Sequence, residues 1–140
     1  MLKQIAVKPV VTASARMTVA EAARIMKQKN VGALIVVNAG RPLGILTDRD
    51  IVVDVVAAGK DPDEVHVGDV ARKRTATIRD DLGLSDAARA FAKSAVRRLP
   101  VVDKAGRVTG ILSIDDLMML LGNEMGYLAG ALAAGLRKAS

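Results

Sequence analysis

"GILTDRD" (Gly44–Asp50) and "GILSIDD" (Gly110–Asp116) spell one pattern twice: Gly-Ile-Leu, a hydroxyl residue, two variable positions, then Asp. The likeness extends outward from both stretches. "AAR" at 22–24 returns at 87–89 and "VV" at 36–37 returns at 101–102, each shifted by 65 positions. "AGR" at 39–41 returns at 105–107, shifted by 66 like the motif itself, so one residue has entered near Lys104. Thr12 falls on Thr77, Met26 on Phe91, Leu34 on Leu99 and Asp50 on Asp116. Matches over nearly the whole chain mark an internal duplication.

Each copy reads as β-α-β-β-α. A short strand ("PVVTA" or "TATIR") leads into a helix. In the first copy Thr18 and Glu21 have capping-box spacing, and Val19, Ala22, Ile25 and Met26 share one face. In the second, Leu84, Ala87, Ala88 and Phe91 do the same. "VGALIVV" and "RRLPVV" are β-rich. "NAGR" and "DKAGR" are hairpin turns in which Gly supplies the positive φ. "PLGILT" and "VTGILS" return as strands. A last helix begins near Asp48 or Ile114 and is expected to stop at Gly59 or Gly122. "GKDPDEVHVGD" reads as a polar linker. The expected organisation is residues 1–60 as repeat one, 61–122 as repeat two, and 123–140 as a helical tail that contacts another subunit. A lone copy would leave much apolar surface bare, so the two should pack face to face.

About half of the 140 residues are apolar, yet only Phe91 and Tyr127 are aromatic, so the core must be aliphatic. Cysteine is absent, which removes disulfides, thiolate metal sites and a Cys nucleophile. That absence, with no signal-peptide pattern in "MLKQIAVKPVV", suggests a cytoplasmic protein. The formal charge of +6 is spread along the chain and favours anionic ligands in general. His66 is the sole histidine and falls in the linker, so neither a metal site nor a catalytic triad is expected.

The repeated motif lies where a strand meets a helix. Thr47 with Asp50, and Ser113 with Asp116, fit the capping box, and capping alone accounts for them. The same groups could also grip a nucleotide. A hydroxyl at a helix start can reach a phosphate oxygen, and a carboxylate one turn on can accept from ribose hydroxyls. The motif's Gly lets a second backbone approach closely.

"VAEAARIMKQKNVGALIVV…GRPLGILTDRDIV" and "LSDAARAFAKSAVRRLPVVDKAGRVTGILSIDDLM" resemble two successive CBS motifs, over roughly residues 4–122. The resemblance implies an α/β fold of two β-α-β-β-α repeats related by pseudo-twofold symmetry, with two clefts. It implies ligands such as AMP, ADP, ATP or S-adenosylmethionine, with no cofactor required. Asp50 and Asp116 would then hold ribose, and Thr47 and Ser113 phosphate. Thr12, Thr77 and backbone at Ala33–Leu34 and Arg98–Leu99 would border the base. "VRRLPVV" is similar to the family's basic H-R-x-P pattern, which would set Arg97 and Arg98, beside Pro100, against phosphates in the second cleft. The first copy has Gly32 and Ala33 there, and would depend on Arg97 or Lys8 reaching across.

The tail "NEMGYLAGALAAGLRKAS" carries a Gly126-x-x-x-Gly130 pattern. It is expected to pack on a partner subunit rather than enter a membrane. Met118 and Met119 read as core or interface filler. The expected function is a non-enzymatic regulatory module that binds an adenosine nucleotide, forms a homodimer and signals to a regulated protein. Two alternatives stay open: a basic nucleic-acid binder, disfavoured by the scarcity of aromatics for stacking, and an assembly scaffold with vacant clefts.

Overall fold

Thr18 and Glu21 close their capping box from both sides. The Thr18 N–H donates to Glu21 Oε2 at 3.0 Å, and the Glu21 N–H donates to Thr18 Oγ1 at 3.2 Å. The helix they start, α1 (Val19–Lys29), buries Val19, Ala22 and Met26. Its second-repeat counterpart, α4 (Leu84–Ser94), buries Ala87 and Phe91. Ala88 is exposed instead of sharing that face, and Ala90 packs on the core in its place. The computed structural model describes residues 1–6, 10–73 and 76–139. Pro9 and Thr75, the first residues of the expected leading strands, lie outside the described residues, as does Lys8.

In the first repeat β1 (Thr12–Ser14) runs parallel to β2 (Ala33–Asn38), which forms an antiparallel hairpin with β3 (Arg41–Thr47). In the second, β5 (Ile78–Arg79) runs parallel to β6 (Arg98–Val102), which pairs antiparallel with β7 (Val108–Ser113). Both hairpins carry a register shift at equivalent places, Val36/Val37 and Val101/Val102. The first turn holds Ala39 and Gly40 at φ 52° and 78°, as a tight hairpin with two left-handed positions requires. The two hairpins meet where the Val108 N–H donates to the Gly40 carbonyl at 2.9 Å.

The expected linker is more than a connection. His66 leads into a short helix, α3 (Val67–Val70), and a two-residue strand, β4 (Arg72–Lys73). Val67 is fully buried in the first repeat's core among Ala13, Ala22, Leu34 and Leu46. β4 pairs with β3, making the first sheet four-stranded in the order β1-β2-β3-β4. Gly44 permits this: a Cβ there would lie 2.1 Å from the Arg72 carbonyl oxygen.

The chain's start does the reverse. A 3-10 turn at Leu2–Gln4 buries Leu2 in the second core, beside Ile78, Phe91, Leu99 and Leu112. The Leu2 N–H donates to the Leu82 carbonyl at 2.8 Å and the Lys3 N–H to the Asp80 carbonyl at 3.0 Å. Each repeat thus completes its core with the segment that precedes the other repeat's first strand.

The closing helices differ. After β3 comes α2 (Asp48–Ile51), then a wider π turn at Val52–Val56; Gly59 follows with φ 70°. After β7, α5 (Ile114–Ala139) continues for 26 residues and passes the expected stop at Gly122 without a break. A glycine costs a helix about 1 kcal/mol but stops it only where a left-handed residue is needed, and Gly122 has no positive φ. Leu117 anchors the first turns in the core, while Met118 and Met119 are exposed, as is every residue from Leu121 to Ala133. By length and composition α5 could cross a membrane.

Candidate functional site

The end of β3 delivers Thr47 as the cap of α2. The Asp50 N–H donates to Thr47 Oγ1 at 3.1 Å, and Asp50 Oδ2 accepts from the Thr47 N–H at 2.9 Å. Both halves of the box are made, and they consume one carboxylate oxygen. The other, Oδ1, faces Arg72 Nε at 3.7 Å, a charge contact beyond hydrogen-bond length. Asp50 is 5% exposed and is the buried charged side chain among the described residues. Its burial is tolerable because both oxygens face donors or a cation.

The second motif is built more loosely. The Asp116 N–H donates to Ser113 Oγ at 3.0 Å, and Asp116 is exposed. The two motifs, equal in sequence, are unequal in setting. β4 brings Arg72 against Asp50.

Around Thr47 and Asp50 lies a cleft of about 370 Å³, walled by both repeats. Ile45, Thr47, Asp48, Arg49 and Asp50 come from the first repeat, Arg72 and Lys73 from β4, Ala95, Val96 and Arg97 from the turn between α4 and β6, and Arg98 from the start of β6. Five cations and two carboxylates make the lining electropositive, a setting that attracts an anion. Such a volume is at the small-ligand end of the usual range. Arg97 Nη2 donates to Asp115 Oδ1 at 2.9 Å, which turns it partly toward α5. Arg98, half-buried in the same wall, has no ion pair among the described residues.

Thr47, Asp50, Arg97 and Arg98 are therefore brought together. The arginines, aligned by sequence with the Ser113–Asp116 motif, stand in the wall of the Thr47–Asp50 cleft. On the strands the alignment still holds, since Arg98 lies opposite Ser113 and Ala33 opposite Thr47 in the hairpin registers. Leu34, Leu99 and Pro100 are fully buried. Thr12, Thr77 and Asp116 are exposed, and with Ala33 and Ser113 they lie outside this cleft. Sequence reasoning missed Arg72 and Lys73. Their signal was faint: adjacent basic residues just after the linker, on a strand too short to show alternation.

The CBS domain model matches this sequence twice, at residues 2–56 and 67–123. The chain belongs to the CBS domain family. A relative from Methanopyrus kandleri is 34% identical over 118 residues, 84% of this chain; the chain spans 60% of that protein. A CBS domain-containing protein of Bacillus subtilis, YhcV, is 40% identical over 108 residues, covering 77% of this chain and 76% of the relative. Among solved structures, a CBS domain pair in complex with 5-methylthioadenosine and S-adenosyl-L-methionine superposes with TM-score 0.76 and 29% identity. That match covers 89% of this chain and 97% of the other. The CBS pair fold accounts for both sheets and for the order of elements in each repeat.

Proposed function

We propose that this CBS pair is a regulatory module that takes a phosphorylated adenosine compound into the Thr47–Asp50 cleft and reports it to a partner protein. One observation carries the reading: the Thr47–Asp50 motif of the first repeat and the Arg97–Arg98 pair of the second line a single cleft. The structural relative's adenosine ligands support an adenosine moiety. The cations favour a ligand with a phosphate over a neutral nucleoside. Asp50 Oδ1 would accept a ribose hydroxyl, and Arg98, with Lys73 and Arg72, would face the phosphate. The groups in the cleft bind and orient; the proposal contains no catalytic step. A cytoplasmic setting and a regulated partner belong to the same proposal.

Calorimetry with AMP and adenosine on wild type and Arg98→Ala tests it. A charge-assisted hydrogen bond contributes about 1.5–3 kcal/mol, so Arg98→Ala should weaken AMP by roughly 10- to 150-fold and leave adenosine nearly unchanged. Equal losses for both ligands would remove the phosphate assignment. Oligonucleotide binding that is steeply salt-dependent and indifferent to AMP would favour a nucleic-acid role.

A further inference from the structure

Arg97 stands in the wall of the Thr47–Asp50 cleft, yet its guanidinium is engaged elsewhere. Its Nη2 donates to both oxygens of Asp115, at 2.9 Å to Oδ1 and 3.3 Å to Oδ2. The pair joins residues 18 positions apart, one in the α4–β6 turn and one in the first turn of α5. The backbone repeats the link, since the Ile114 N–H donates to the Arg97 carbonyl at 2.9 Å. The acids of the cleft itself are occupied. Asp48 Oδ1 accepts from the Arg49 N–H at 2.8 Å, and Asp50 accepts from the Thr47 N–H and faces Arg72. Arg97 therefore has a carboxylate partner outside the cleft, while half-buried Arg98 has no ion pair among the described residues.

Given the reading of this cleft as a phosphate site, on which the inference rests, we propose that Asp115 competes with the ligand for Arg97. Asp115 is a positioning residue: it holds the guanidinium against α5, and a phosphate in the cleft must draw it away. Magnitudes favour the phosphate. Both side chains of the pair are 72% exposed, and an ion pair that open contributes little. A phosphate carries more charge than a carboxylate and can take two N–H bonds from one guanidinium. The adjacent arginines then differ in role. Arg98 meets the phosphate at once, and Arg97 joins it only as Asp115 gives way. Such a coupling is reciprocal. Whatever the pair takes from ligand affinity, the ligand takes from the pair, so binding frees the first turn of α5 from its side-chain tie to the cleft wall.

A double-mutant cycle read by calorimetry tests the competition. Wild type, Asp115→Asn, Arg97→Ala and the double variant are matched by circular dichroism, then titrated with AMP and with adenosine. The buffer holds about 0.15 M salt, which screens charges more than about 8 Å apart. Asp115→Asn should bind AMP roughly two- to fivefold more tightly than wild type, the range for release of an exposed ion pair, and adenosine equally. In the Arg97→Ala background the same change should leave AMP affinity where it was. A gain that persists without Arg97 would reflect the lost surface charge alone and would overturn the proposal. If Arg98→Ala weakens AMP while Asp115→Asn does not strengthen it, the competition falls and the phosphate reading stands. If wild type does not bind AMP, both fall.

Discussion

At Gly44 the chain leaves no room for a side chain: the Arg72 carbonyl oxygen would lie 2.1 Å from a Cβ. Gly44→Ala must push β4 away from β3. It should cost about 1–3 kcal/mol by urea denaturation, the usual range for forced overpacking, and should weaken AMP because Arg72 and Lys73 move with the strand. The motif's glycine is therefore a structural device that also shapes the site. Asp50 likewise has two roles. Asp50→Ala removes the carboxylate that accepts the Thr47 N–H and faces Arg72, while Thr47 still accepts from the residue-50 N–H, so about 1–3 kcal/mol of stability should be lost with that unpaired part-buried donor. Asp116→Ala removes an exposed group and should lose less in the same denaturation series.

The elements differ in how far they could be read from sequence. The hairpins β2–β3 and β6–β7 were legible because apolar runs flank turn residues twice, with a single residue added in the second turn, and the α1 capping box because its two residues are diagnostic. α3 and β4 were not, since four and two residues show no periodicity, and Val67 gives no sign from sequence of entering the first core. The extent of α5 is hidden in the sequence because a glycine followed by Asn resembles a stop, while the good helix formers beyond it carry the helix on. In α4 the cap is half of a box: the Gly83 N–H donates to Asp86 Oδ2 at 3.0 Å. That hydrogen bond, with Arg89 beside it, holds the Asp86 carboxyl below its ordinary value of 3.8. A carboxyl depressed in the folded state adds stability above its unfolded pKa and loses it as pH falls through the folded one. Asp86→Ala should therefore melt below wild type at pH 7, and the gap should close as pH drops below 3.8.

In the whole molecule the two repeats are interleaved rather than merely stacked. Leu2 completes the second core and Val67 the first, so neither half is closed without the other's leading segment. Leu2→Ala should cost about 2–5 kcal/mol, as for a fully buried leucine elsewhere, and urea unfolding should remain a single transition because both cores share the loss. The same interleaving joins β4 and the α4–β6 turn to the Thr47–Asp50 motif. The strand alignment put Arg98 opposite Ser113, and only the packed molecule shows both arginines in the first motif's cleft. In the proposed function this cleft holds the ligand, with Asp50 rather than Asp116 on its ribose. Titration calorimetry of AMP into wild type, Asp50→Asn and Asp116→Asn tests it most directly, since asparagine keeps the cap while removing the charge. Asp50→Asn should lose roughly 10- to 150-fold in affinity and Asp116→Asn should bind like wild type. Wild-type affinity in Asp50→Asn, or a loss confined to Asp116→Asn, would contradict it.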